Sequence, residues 1–213
     1  MQDPVPHPLK AQKQALRSAL RQERAHKAPP PGSPDALALS QALAALVDAE
    51  LRAAGARSVA LYAARSDELD PRFIGERARA RGCQLCYPRV ATSSPPTLTF
   101  HACDETELAP GGFGVREPRA AAPQPRAIDA FVLPGLGFDR RGGRLGYGRG
   151  FYDAALRQQP VALRIAVGYD FQVLPTIPMG EQDEPVDLVV TPSQRWRTGA
   201  RPLPAPAAKE ESP

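Results

Sequence analysis

The sequence predicts a single α/β domain: a mostly parallel, doubly wound sheet flanked by helices and preceded by a basic amphipathic helix at the N-terminus. Three observations carry this prediction. From about residue 58 onward short apolar runs alternate with helical patterns, as parallel strands joined by crossover helices require. The length of 213 residues suits one domain better than several. Hydrophobic residues make up 42% and charged residues 23%, so a real core can form and global disorder is excluded.

Residues Leu9 to Lys27 contain neither Gly nor Pro. At 100° per residue Lys10, Lys13, Arg17, Arg21 and Arg24 fall within an arc of about 80°, beside Leu9, Leu16 and Leu20. A helix here carries a basic stripe bordering its buried face. Taken alone, such a stripe reads as a solvated face, the commoner role, or as a grip for an anion. Pro29-Pro30-Pro31 ends this helix. Ser33-Pro34, a cap followed by a first-turn proline, opens a second through Leu37, Leu43, Leu46 and Leu51 to a stop at Gly55. Ser58 to Tyr62 reads as a buried strand, and Asp70-Pro71 starts a helix to about Gly82. Further strands are expected at Gln84 to Tyr87, Leu98 to His101, Ile128 to Leu133, Arg164 to Gly168 and Val186 to Val190, with a helix from about Phe151 to Gln158. The domain is thus placed at residues 9–194. The proline-bearing ends, 1–8 and 195–213, are expected to be flexible tails.

The net charge of +4 favours an anionic partner without naming it. No apolar run approaches the ~20 residues of a membrane span, so no membrane partner is expected. Three cysteines cannot all pair, and Met1 to Pro8 does not resemble a signal peptide; the expected location is the cytoplasm, and a monomer is expected. Cys83 and Cys86, with His101 and Cys103, have a zinc-like spacing, but residues three apart on a strand face opposite ways, which suits neither a chelate nor a dithiol.

The densest chemistry runs from Leu133 to Asp153. A strand feeds a loop with glycines at 142, 143, 146, 148 and 150, and a helix begins where the loop ends. Backbone N–H groups, the helix start, Arg144 and Arg149 can then face a phosphate. A plain Gly/Arg-rich hairpin is the alternative, although Tyr147, Phe151 and Tyr152 interleaved with glycines are unusual for a linker. Neither the Walker pattern nor the dinucleotide fingerprint is present. Asp153, beside any bound phosphate, calls for a cation such as Mg²⁺. A second ligand could come from the run Glu181, Asp183, Glu184 and Asp187, which otherwise reads as a solvated acidic turn.

The stretch Leu133 to Asp153 resembles the P-G-x-x-F-D and R-L-G-x-G-x-G-x-Y-D motifs of 5-formyltetrahydrofolate cyclo-ligases, also called 5,10-methenyltetrahydrofolate synthetases. Supporting blocks follow in the family's order: Lys13 to Arg17, Asp67 to Asp70, Gly114 to Pro118, Tyr169 to Gln172, Pro178, and Asp183 with Val186 to Thr191. The resemblance implies ATP-dependent conversion of 5-formyltetrahydrofolate to the 5,10-methenyl form with Mg²⁺, and no nucleic-acid partner. It implies that ATP is held by Lys13, Arg17, Arg144, Leu145, Gly146, Tyr147, Gly148, Arg149, Gly150, Phe151 and Tyr152. Folate would meet Glu68, Tyr147, Gly148, Arg149, Gly150 and Phe151, Mg²⁺ would meet Asp153 and Asp183, and Arg144, Tyr152 and Asp153 would be catalytic. The resemblance moves Lys13 and Arg17 out of the solvated stripe and leaves Lys10, Arg21 and Arg24 in it. Phe151, Gln182 and Arg149 depart from the residues common in the family. The readings from other classes are a sugar-phosphate isomerase or acyl transferase on a similar scaffold, with a catalytic carboxylate but no metal, and an RNA-binding module using the stripe from Lys10 to Arg24.

Overall fold

The computed structural model describes residues 8–91 and 97–203. Helix α1 (Pro8–Lys27) leads to α2 (Pro34–Ala53), whose Ser33 cap accepts from the Ala36 N–H at 3.2 Å. Strand β1 (Ser58–Ala60), helix α3 (Arg72–Ala80) and the antiparallel pair β2 (Gln84–Ala91) and β3 (Thr97–Ala102) come next. The short strands β4 (Ala109–Pro110) and β5 (Arg116–Glu117) form a ribbon. Then follow β6 (Ala130–Leu133), β7 (Gly137–Asp139), β8 (Arg144–Leu145), α4 (Phe151–Arg157) and β9 (Leu163–Val167). The last strands are β10 (Val173–Leu174), β11 (Leu188–Val190) and β12 (Arg195–Arg197).

Seven strands form the main sheet in the order β12-β11-β9-β6-β1-β2-β3. The inner five run parallel, and β12 and β3 are antiparallel edges. Side chains alternate across it as strand geometry demands. On β6, Ala130 and Val132 face one core, which α2 and α3 cover with Leu43, Val47, Leu51 and Ile74; Phe131 and Leu133 face the other, with Leu156 of α4. Both faces are therefore buried, and the doubly wound prediction holds. The chain winds outward from β1 to β2 in one direction and from β6 through β9 to β11 in the other, so the switch point lies between β1 and β6, where ligand crevices form in such sheets. A small sheet, β10-β7-β8, sits beside this point under α1, with Leu20, Leu136, Leu145 and Ile177 between them.

Two expectations need correction. The sheet does not stop at residue 194: β12 pairs with β11, Trp196 packs on the second core, and Arg195 and Arg197 reach the buried Glu50 carboxylate at 3.2 and 2.6 Å. Their partner stands 147 positions away from Arg197, beyond the reach of local patterning. Of the expected tails, residues 1–7 and 204–213 lie outside the described residues. The second correction concerns Gly142 and Gly143. They form the β7–β8 turn around Asp139, which accepts from the Arg141 and Gly143 N–H groups at 2.9 Å each and from Ile177 N–H at 2.6 Å. A Cβ at Gly142 would lie 2.8 Å from Val186 O, and one at Gly143 2.6 Å from Asp139 Oδ2. Close packing, not phosphate, requires these two glycines.

Candidate active site

A cavity of about 1320 Å³ opens at the switch point. The segment after β1 supplies Tyr62, Asp67 and Glu68; the segment after β6 supplies Pro134; α1 lies across the opening with Lys13, Arg17, Arg21 and Arg24; and the loop from Arg144 to Asp153 closes the far side. Pro88 and Val90 of β2, Leu98 of β3, Val115 and Glu117 complete a largely apolar wall. The basic stripe of α1 thus turns toward the cavity, and Lys10 alone of its five members does not line it.

Local sequence explains the loop. After the Asp139 turn, β8 aims Arg144 inward, where its side chain is only 3% exposed and donates to Asp153 Oδ1 at 3.0 Å and Pro134 O at 3.4 Å. Gly148 (φ 97°) and Gly150 (φ 69°) adopt left-handed conformations that disfavour any Cβ. Arg17 packs against Gly148 and donates through Nε to Gly146 O at 3.0 Å. Gly150 starts α4, which is only seven residues long. Its dipole is correspondingly modest, so attraction for an anion rests mainly on the guanidinium and ammonium groups.

The centre of the site is a buried polar network. Arg24, 2% exposed, donates to Asp67 Oδ2 at 2.9 Å, to the Tyr147 hydroxyl at 2.6 Å and to Gly135 O at 3.3 Å, and lies 3.5 Å from Glu68 Oε1. Burial opposes its charge, but Tyr147, Glu68 and Asp67 together hold the guanidinium above its ordinary pKa. Tyr147 in turn donates to Glu68 Oε1 at 2.6 Å. Burial, aided by Glu68, pushes this hydroxyl well above the usual phenol range and keeps it a donor. Burial also raises the Glu68 carboxyl, against the bonds from Arg65 N–H and Tyr147 and the charge of Arg24. The guanidinium groups of Arg21, Arg24 and Arg65 sit 5.8, 5.6 and 5.4 Å from the Tyr147 ring centre. Three cations thus engage that ring.

Asp153 and Asp183 come together at the cavity edge, the Glu184 N–H reaching Asp153 Oδ1 at 3.2 Å. Asp183 accepts from Lys13 Nζ and from Gly180 N–H. Two hard carboxylates on one wall fit a Mg²⁺ ion, which takes one or two protein carboxylates and completes its shell with phosphate and water. Elsewhere in the acidic run, Glu184 pairs with Arg164 at 2.9 Å, Asp187 caps Arg164 N–H at 2.8 Å, and Glu181 is exposed. Cys86 is fully buried, its thiol pushed up to about 12 by burial, and Cys83 donates to Ala56 O.

Lys13, Arg17, Glu68, Asp183 and every residue from Arg144 to Asp153 line this one cavity. Sequence reasoning missed Arg24, Tyr62, Glu117 and the apolar wall. Arg24 had one legible signal: its neighbours a helical turn away, Leu20, Arg21, Lys27 and Ala28, include no carboxylate, so a buried Arg there must find counter-charges on other elements.

Comparison with known proteins supplies the family. The model of the 5-formyltetrahydrofolate cyclo-ligase family matches residues 9–192. The 5-formyltetrahydrofolate cyclo-ligase of Escherichia coli K12 is 32% identical over 148 residues, covering 66% of this chain and 81% of that protein. Its Mus musculus counterpart is 28% identical over 151 residues, covering 63% and 72%. Among solved structures, the 5,10-methenyltetrahydrofolate synthetase of Aquifex aeolicus superposes with a TM-score of 0.73 at 24% identity, over 93% of this chain and 98% of its own. That likeness speaks for the fold, and the matched sequence for more: the chain belongs to the 5-formyltetrahydrofolate cyclo-ligase family.

Proposed function

We propose that this enzyme converts 5-formyltetrahydrofolate to 5,10-methenyltetrahydrofolate with Mg²⁺ and ATP, releasing ADP and phosphate. The observation that carries the reading is the composition of one cavity, in which a cationic glycine loop and two carboxylates meet a buried carboxylate and an apolar wall. The formyl oxygen attacks the γ-phosphorus and ADP leaves; the anilino nitrogen then closes on the activated carbon and loses its proton, and phosphate departs with the former formyl oxygen. Such chemistry needs no protein nucleophile, and among the described residues no histidine lines the cavity.

The chain's contribution is positioning and charge. Lys13, Arg17 and Arg144 hold the polyphosphate. Burial keeps the Tyr152 hydroxyl protonated, so it serves as a hydrogen-bond donor rather than a base. Glu68 accepts from the N–H edge of the pterin, and Pro88, Val90, Leu98 and Val115 enclose its apolar faces. Asp153 and Asp183 would hold Mg²⁺, which neutralises charge as the phosphoryl group moves. The test mixes the purified chain with ATP, Mg²⁺ and 5-formyltetrahydrofolate and follows methenyl absorbance and ADP release. Coupled formation of both products is expected; no product from either folate diastereomer overturns the proposal.

A further inference from the structure

We infer that Arg24 is a positioning residue for the folate half of the reaction, acting through the Tyr147 hydroxyl to fix the Glu68 carboxylate. This rests on the function proposed above. A buried guanidinium costs several kcal/mol unless fully partnered, and one carboxylate would satisfy an ordinary helix anchor. Arg24 instead ties together three separate segments: Asp67 and Glu68 after β1, Gly135 after β6, and Tyr147 of the glycine loop.

The direction of the bonds carries the argument. Tyr147 has a single hydroxyl proton. Because its oxygen accepts from Arg24 Nη2 at 2.6 Å, that proton goes to Glu68 Oε1, also at 2.6 Å. The backbone N–H of Arg65 holds the other carboxylate oxygen at 2.9 Å. Both oxygens are thereby pinned, and the plane that Glu68 presents to the cavity is set by a chain of donors that begins at Arg24. Lysine cannot reproduce this, since it lacks the planar fork that reaches Asp67, Tyr147 and Gly135 at once.

The experiment is a double-mutant cycle on the full chain, with Arg24→Lys, Tyr147→Phe and both together, measuring KM for 5-formyltetrahydrofolate, KM for ATP and kcat. Arg24→Lys is expected to raise the folate KM about tenfold, the scale of one lost charge-assisted hydrogen bond, and to change the ATP KM less than about twofold. The double variant is expected to be little worse than the poorer single one, because both substitutions break the same relay. A folate KM unchanged in Arg24→Lys, or effects that multiply in the double variant, overturns the inference. If Arg24→Lys does not fold, Tyr147→Phe keeps it exposed to refutation, since cutting the relay at its middle must raise the folate KM. An inactive wild type refutes the proposed function itself; an active wild type with indifferent Arg24 and Tyr147 variants refutes only the relay.

Discussion

Gly148 and Gly150 stand two residues apart with left-handed φ of 97° and 69°, yet an added methyl group has different neighbours at each. At Gly148 a Cβ meets Arg17 Cζ at 3.1 Å and Nε at 3.3 Å; at Gly150 it meets nothing within 4 Å. Both Gly→Ala changes force an L side chain into a left-handed conformation, at a cost of about 1–2 kcal/mol. For a domain of this size that lowers Tm by roughly 2–8 °C. Only Gly148→Ala also pushes the Arg17 guanidinium from the loop and strains its 3.0 Å bond to Gly146 O. A charge-assisted bond contributes roughly 1.5–3 kcal/mol, and the lower end applies to a half-buried group. About 1.4 kcal/mol corresponds to a factor of ten in binding, so the two variants should differ about tenfold in KM for ATP, with Tm falling in both and further in Gly148→Ala. Steady-state methenyl formation at saturating folate, with thermal melts in parallel, makes the comparison. Equal ATP KM values would refute the role of Arg17 as a nucleotide grip held by the loop, and an unchanged Tm in both would refute the left-handed backbone.

Three further outcomes follow from the geometry. Burial raises the Glu68 carboxyl, and in the proposed function its ionised form is the acceptor for folate, so the folate KM should rise as pH falls through that raised value. The Tyr147 bond favours the charged form, so Tyr147→Phe should move the rise to higher pH; a wild-type profile between about pH 5 and 8 would count against it. Asp153→Asn keeps an oxygen for Arg144 and for Glu184 N–H but removes the charge, so half-maximal Mg²⁺ should rise about tenfold with a Tm loss of only a few degrees. Mg²⁺ titrations matching the wild type would disprove the metal role. A chain ended at Gln194 leaves the Glu50 carboxylate, 6% exposed, without Arg195 and Arg197. The arginines are about half exposed, so losing them costs roughly 1.5–3 kcal/mol, or about 3–12 °C in Tm, and a melt within a degree or two of full length would sink that account.

What the sequence revealed was local or periodic. The Ser33 cap, the apolar runs of β1, β6 and β9, and the interleaved glycines and aromatics of residues 146–152 all announce themselves within a few positions, and each lies where the pattern put it. The misses are non-local. Arg-Trp-Arg at 195–197 has one apolar residue and becomes a strand because β11 and Glu50 await it. Gly142 and Gly143 look like phosphate glycines, yet their need arises from Val186 O and Asp139, set by a chain reversal that composition does not encode. The stripe on α1 was visible, but which of its cations would be buried depended on where Asp67 and Tyr147 arrive.

The arrangement also reconciles the proposed nucleotide site with a net charge of only +4. Three of its cations are already paired with carboxylates: Lys13 with Asp183, Arg144 with Asp153, and Arg24 with Asp67 and Glu68. A bare nucleotide would have to take Lys13 and Arg144 from their carboxylates and leave Asp183 and Asp153 facing its phosphates, a repulsive exchange in a partly buried cavity. A nucleotide that arrives with a dication supplies both halves of each exchange, phosphate for the cations and metal for the carboxylates. Arg24 is excluded from that exchange by its depth and by the Tyr147 hydroxyl it holds. On this reading the cavity has two kinds of ion pair, two at the edge that change partners when the nucleotide binds and a central cluster that holds the Glu68 carboxylate still while they do.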